Sequence, residues 1–314
     1  MYTQTTKLFG NYKVVKITNS VTGEYFSIIP EVGGRVHEIC LKHENVLINI
    51  LDNEQDVEAI KNERWYKGAI LVPFPNRVRA GSYDFNGEHY QLPINFPGEG
   101  HAIHGLVYDK SFEIITTDIA EKGLLTVRYR YNGSIEGYPF PCTVKYVFSI
   151  EDNNFSCSIS VVNDGEKTLP FGVGWHPYFI LGSDVDNLYL KLPNVASIEV
   201  DEKMIPTGKK DNMNDFENLD QTHDTQFDTG FEILNINEVA ATKIYNPANN
   251  LTLESWQKTG INGFNYIQVF TPPGRKSIAV EPMTCPADAF NSKESLIELP
   301  PQEDWSGSFG VRIY

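Results

Sequence analysis

Apolar side chains recur at every second position in segment after segment of this chain, and no other feature constrains its fold as much. Leu125, Val127, Tyr129 and Tyr131 alternate with Thr126, Arg128 and Arg130, and Val144, Tyr146, Phe148 and Ile150 alternate with Thr143, Lys145 and Ser149. After the polar Glu151-Asp152-Asn153-Asn154, the pattern resumes with Phe155, Cys157, Ile159 and Val161 set against serines and Val162. Successive side chains of a strand point to opposite faces, so this spacing predicts half-buried antiparallel strands joined by short turns. Further strands are expected at 188–192, 196–200, 251–256, 265–271, 277–281 and 308–313, with one modest helix from Glu54 to Glu63 carried by Val57 and Ile60. With 24 Gly and 18 Pro punctuating many short strands, the expected class is all-β, a large antiparallel sandwich or barrel.

A length of 314 residues would allow two domains, but no composition break, linker or repeat divides it, so one domain over 1–314 is expected. The segment 201–227 is polar, acidic and without periodicity. It reads as a long solvated connection, with a lid as the alternative.

Acidic residues outnumber basic ones 41 to 26, for a net charge of −15. Such a surface repels phosphate backbones and anionic lipid, which argues against nucleic acid or a membrane as partner. It also makes a phosphorylated substrate less expected unless a local basic pocket overrides the global field. Residues 1–20 hold no apolar run suited to a signal peptide, and no segment approaches the length of a membrane span. Cys40, Cys142, Cys157 and Cys285 lie far apart with no CxxC pair, which argues against a zinc ribbon or disulfide scaffold. A cytoplasmic protein with free thiols is expected.

Three places stand out chemically. His101 and His104 lie in GEGHAIHGL and His176 in GVGWHPYFIL, flanked by the glycines and prolines of loops and strand ends, where functional groups are presented. Glu281 follows the apolar Ile278-Ala279-Val280 and precedes a proline. It is either a solvated strand end or a general base facing a cleft, where partial burial would raise its pKa toward neutrality. Asn76 and Arg77 follow two prolines in PFPNRVRAG. Arg77 fits equally a surface ion pair or a forked donor for sugar hydroxyls. A metal shared by the histidines and Glu281 is the second choice, because His-x-x-His on a strand sends the two rings to opposite faces. No HExxH, phosphate-binding glycine loop or GxSxG elbow occurs.

In order along the chain, these pieces resemble the aldose 1-epimerase (galactose mutarotase) family. Gly33-Gly34-Arg35 resembles its opening glycine turn, PFPNRVRAGSYDFNGEHYQLPIN its Asn-Arg segment, and HAIHGLVYDKSF its His-Gly segment. His176-Pro177-Tyr178-Phe179 resembles its "HxYF", Phe227-Asp228 its later acidic position and VEPMTCPADAFN its closing motif. Leu106 replaces a glycine of the pattern, Trp175 stands where many members have asparagine, and His101 is additional. These departures touch the identity of the sugar more than the proton chemistry.

The resemblance implies a galactose mutarotase-like supersandwich with the sugar in an open cleft and no metal or organic cofactor. It implies Glu281 as general base, His176 as general acid and His104 as a second histidine near the ring oxygen. Arg77, Asn76 and Asp228 would hold sugar hydroxyls, with His101 and Trp175 as further contacts. Trp175 or Tyr178 would either stack on the pyranose or pack in the core. The expected activity is anomer interconversion of a free hexose by a monomer or homodimer. The alternatives are an epimerase of a phosphorylated or modified hexose, and a sugar-binding or sensing protein without turnover.

Overall fold

The structure, a computed structural model, describes residues 1–62, 65–120, 122–212, 215–236 and 238–314. Among the described residues the alternation is realised as two large antiparallel sheets. One has nine strands and runs from Glu113–Asp118 through Gly123–Tyr131, Cys142–Glu151, Asn154–Asn163 and Asp304–Ile313 to Leu251–Lys258 and beyond. Within it Val144, Tyr146, Phe148 and Ile150 are buried, as are Phe155, Cys157, Ile159 and Val161 on the next strand. These two strands meet in a two-residue turn, Asp152-Asn153, with φ of 47° and 60°. Both residues tolerate the left-handed region, and the turn's twist matches that of the strands.

The second sheet has eight strands, among them Val195–Val200, Asp228–Ile233, Tyr266–Phe270, Ile278–Met283 and Gly174–Trp175. The two sheets meet through aromatic rings. Trp175 from the second stacks on Phe309 of the first at 5.0 Å and packs on Phe155 at 6.2 Å. The fold is therefore an antiparallel sandwich, with a five-stranded N-terminal sheet over Tyr2–Asn49 added to it.

The segment 201–227 is more ordered than a long solvated connection would need to be. It contains the strand Pro206–Asn212, paired with Val195–Val200 at the sheet edge, and Asp220–Gln221, paired with Tyr189–Leu190. The edge strand is wet on both sides, so it has no apolar alternation to betray it. Met213 and Asn214 lie outside the described residues. The helix expected over Glu54 to Glu63 is shorter, Val57–Asn62, with Ile60 buried, and Glu63 is outside the described residues. A four-residue helix, Ala289–Ser292, carries too few residues for a periodic signal. No helix among the described residues is long and apolar enough to cross a membrane.

Candidate active site

The strand Ile278–Met283 sits inside the second sheet and is buried along its whole length. Ile278 and Val280 enter the inter-sheet core, so Glu281 projects from the other face. Register then decides its company. Gln268 lies directly opposite Glu281, and Gly230 lies opposite Gln268 on the next strand. A Cβ at Gly230 would stand 3.2 Å from Gln268 Oε1, so the glycine leaves room for that amide. Asp228, two residues before Gly230, therefore shares the face with Gln268 and Glu281.

The histidines arrive from loops pinned to this sheet. His176 follows Trp175 on the short strand Gly174–Trp175, and its backbone bonds Ala69 O and Gly68 N, both at 2.9 Å. With Trp175 turned into the core, His176 turns out. His104 has φ +59°, and its N–H donates to Asn76 O at 2.9 Å. The next residue must be glycine, because a Cβ at Gly105 would lie 2.2 Å from Val72 O. The Pro-Asn-Arg loop is held from the C-terminal motif. Asp288 N–H donates to Arg77 O at 2.6 Å, and Asp288 Oδ1 accepts Arg79 N–H at 2.8 Å.

These elements enclose a cleft of about 200 Å³. On one wall, His176 Nε2 lies 3.5 Å from Glu281 Oε1. The His176 ring stacks on Tyr178 at 4.9 Å and meets His104 edge-on at 5.1 Å. Burial pushes the Glu281 carboxyl well up, with Asp228 adding to the rise and Arg77 opposing it. Burial also pushes His176 down to about 3. His104 is held well below its ordinary value by burial, then by His176 and Arg77. Its Nδ1 accepts the Asn76 N–H at 3.3 Å, so the neutral ring carries its proton on Nε2.

The adjoining wall is a chain of hydrogen bonds. Arg77 holds Glu99 with two donors at 2.7 and 3.2 Å and donates to Asn76 Oδ1 at 3.0 Å. Asn76 Nδ2 donates to Gln268 Oε1 at 3.3 Å, and Gln268 Nε2 donates to Asp228 Oδ1 at 2.9 Å. Burial raises the Asp228 carboxyl, an effect Arg77 opposes.

Of the residues singled out in the sequence, Glu281, His176, His104, Arg77, Asn76 and Asp228 line this cleft, with Tyr178. Two expected sugar contacts are not there. Trp175 is fully buried between the sheets, because His176, the next residue, takes the cleft side. His101 faces away, accepting the Ala80 N–H at 3.0 Å and donating to Lys203 O at 3.2 Å. It ties the Arg77–Gly81 turn to the 201–205 turn. Sequence reasoning missed Gln268 and Glu99, although a lone amide inside the apolar Tyr266–Phe270 run was a usable signal. Trp65, Tyr66 and Phe270, which also line the cleft, carried none. Among the described residues, no three His, Cys, Asp or Glu side chains are grouped to hold a metal ion.

The profile of the aldose 1-epimerase family matches residues 14–312. The chain is 29% identical over 298 residues to the uncharacterized protein YihR of Escherichia coli, covering 88% of this chain and 86% of that one. It is 25% identical over 224 residues to galactose mutarotase of Rattus norvegicus, 62% of each. In structure it superposes on a galactose mutarotase-like protein from Clostridium acetobutylicum with a TM-score of 0.87, at 21% identity, covering 100% of this chain and 98% of the other.

Proposed function

Because this chain belongs to the aldose 1-epimerase family, we propose that it is a mutarotase, interconverting the α and β anomers of a free hexose through Glu281 and His176. The observation that carries this reading is a carboxyl and an imidazole 3.5 Å apart in a cleft that also holds hydroxyl-binding groups.

The chemistry needs one proton and two sites. Glu281 takes the proton from the O1 hydroxyl as the C1–O5 bond breaks and C1 becomes an aldehyde, while His176 gives its proton to O5. Rotation about C1–C2 presents the other carbonyl face. Glu281 then returns a proton to O1, and His176 removes one from O5 as the ring closes. The pair holds the same single proton before and after.

Burial favours the uncharged arrangement, with the proton on Glu281. That is the arrangement reached after ring opening. Opening must start from carboxylate and imidazolium, which sugar hydroxyls and the nearby Arg77 favour by bonding or facing the carboxylate. His104, neutral with its proton on Nε2, supplies a fixed donor beside the reacting atoms. Arg77, Asn76, Gln268 and Asp228 would orient the remaining hydroxyls.

A phosphorylated hexose is the weaker reading. Arg77 is already gripped by Glu99, and the half-exposed Arg79 is paired with Asp201 at 2.9 Å. The test is polarimetry of freshly dissolved α-D-glucose and α-D-galactose. The wild type should speed decay to the same final rotation, and Glu281→Gln should not. Unchanged decay of both sugars with the wild type, or full activity in Glu281→Gln, would overturn the reading.

A further inference from the structure

Among the described residues, Arg77 is the only lysine or arginine in the lining of the cleft, against the carboxyl groups of Glu99, Asp228 and Glu281. Arg77 is built into the site, its side chain only 10% exposed and its carbonyl held by the Asp288 N–H. Glu99 comes from outside it, with a side chain 33% exposed. It stands at the tip of the 96–101 loop, which is closed at its base by the Phe96 N–H donating to His101 O at 3.1 Å. The flanking Gly98 and Gly100 are exposed, and a Cβ added at either meets nothing within 4 Å. The tip therefore stands clear of the core. Among the described residues, the Glu99 carboxylate is hydrogen-bonded to Arg77 and to no other group.

The geometry of that pair decides what Arg77 has left to offer. Its Nε and Nη2 both donate to Glu99, the side-by-side arrangement that matches a carboxylate, and Nη1 donates to Asn76 Oδ1. A guanidinium has five N–H bonds, so two remain, one on each terminal nitrogen. Single donors suit hydroxyls. An anionic ligand would find the paired donors taken and the positive charge matched by a carboxylate oxygen 2.7 Å away. Glu281 and His176 share one proton and carry no net charge between them. That leaves one cation facing two carboxylates, Glu99 and Asp228.

We propose, on the mutarotase reading above, that Glu99 is the specificity residue that restricts this enzyme to uncharged aldoses, by filling the carboxylate-binding edge of Arg77 from its own chain. With Glu99 shortened, that edge opens to the cleft and takes the carboxylate of a uronate, an aldose oxidised to the acid at C6.

Polarimetry of D-glucose against D-glucuronate, and of D-galactose against D-galacturonate, tests this. The wild type should prefer the neutral sugar of each pair by about tenfold or more in kcat/KM, because like charges are set against each other when the anion enters. Glu99→Ala should shrink that preference by about tenfold or more, the scale of a charge-assisted hydrogen bond, chiefly through KM for the uronate. Damage to the fold would slow both sugars of a pair together, so the ratio reads specificity alone. Adding Arg77→Met to Glu99→Ala should remove the gain, because the binding edge is then gone. Calorimetric affinities for glucuronate and glucose read the same preference without turnover. If the neutral sugars are turned over but the wild type handles their uronates equally well, or Glu99→Ala leaves the preference unchanged in both pairs, the role of Glu99 falls and the mutarotase reading stands. If no sugar is turned over yet Glu99→Ala gains affinity for glucuronate over glucose, the mutarotase reading falls and the role of Glu99 stands. With neither turnover nor that gain, both fall.

Discussion

The two walls of the cleft are both buried and polar, yet they treat their polar atoms differently. On the wall of Glu281 and His176, Glu281 Oε2 is buried and has no hydrogen-bond partner among the described residues. On the wall of Arg77, each side chain from Glu99 to Asp228 is bonded to the next. An unsatisfied buried acid is displaced from its ordinary pKa and can exchange a proton near neutrality. A satisfied network is rigid and offers fixed donors and acceptors to a ligand. One wall is suited to reaction and the other to positioning.

Substitutions should separate these roles. The largest effect belongs to the first wall: Glu281→Gln and His176→Asn should each lower kcat by about 10²–10⁴, the usual range for general acid–base groups. The double variant should be little worse than the poorer single one, because one proton passes through both groups. Stopped polarimetric assays with matched enzyme concentrations would read this. Additive losses would mean that the two residues act separately.

Next comes Arg77→Met, which should raise KM by about 10–100-fold, the scale of lost charge-assisted hydrogen bonds, while changing kcat less. A fall in kcat as deep as that of Glu281→Gln would erase the distinction between the walls.

A third contrast lies in stability against pH. The Glu281 carboxyl is raised from its ordinary value of 4.5, so the folded protein binds a proton that the unfolded chain has released above that pH. Stability linked to Glu281 is fully present below pH 4.5 and is lost as the pH rises toward the folded-state value. Glu281→Gln removes this dependence. Its melting temperature should therefore gain on the wild type as the pH is taken from 5 to 8. A constant gap would show that Glu281 is not held protonated. His176 acts in the opposite sense, its contribution being present above 6.5 and lost as the pH falls toward 3.

The smallest effect should come from His101→Gln, outside both walls. It should cost about 1 kcal/mol in chemical denaturation, a typical net hydrogen bond, with kcat unchanged. A large loss of kcat would return His101 to the cleft.

Much of the cleft was legible in the sequence because its residues lie in distinctive local contexts. Glu281 follows an apolar run, His176 and His104 sit among glycines and prolines, and Asn76-Arg77 follows two prolines. What was not legible was orientation. His101 and His104 share one short motif, and only the left-handed backbone at His104, with its bond to Asn76 O, sends one ring inward and leaves the other bracing a turn. Trp175 and His176 are adjacent, so one of them had to face the core. The aromatic rings of the opposing sheet decided that it was the tryptophan.

By itself the sequence determined the fold class, since strand alternation is a local property carried by each segment's own pattern of burial. It also determined which chemical groups were available to a cleft. The tertiary structure alone decided which groups meet. Gln268 faces Glu281 through strand register, Glu99 reaches Arg77 across a loop, and Trp65 and Tyr178 come together in the lining of the cleft. These are contacts between residues far apart in the chain, fixed by how strands pair and sheets pack, and no local periodicity encodes them.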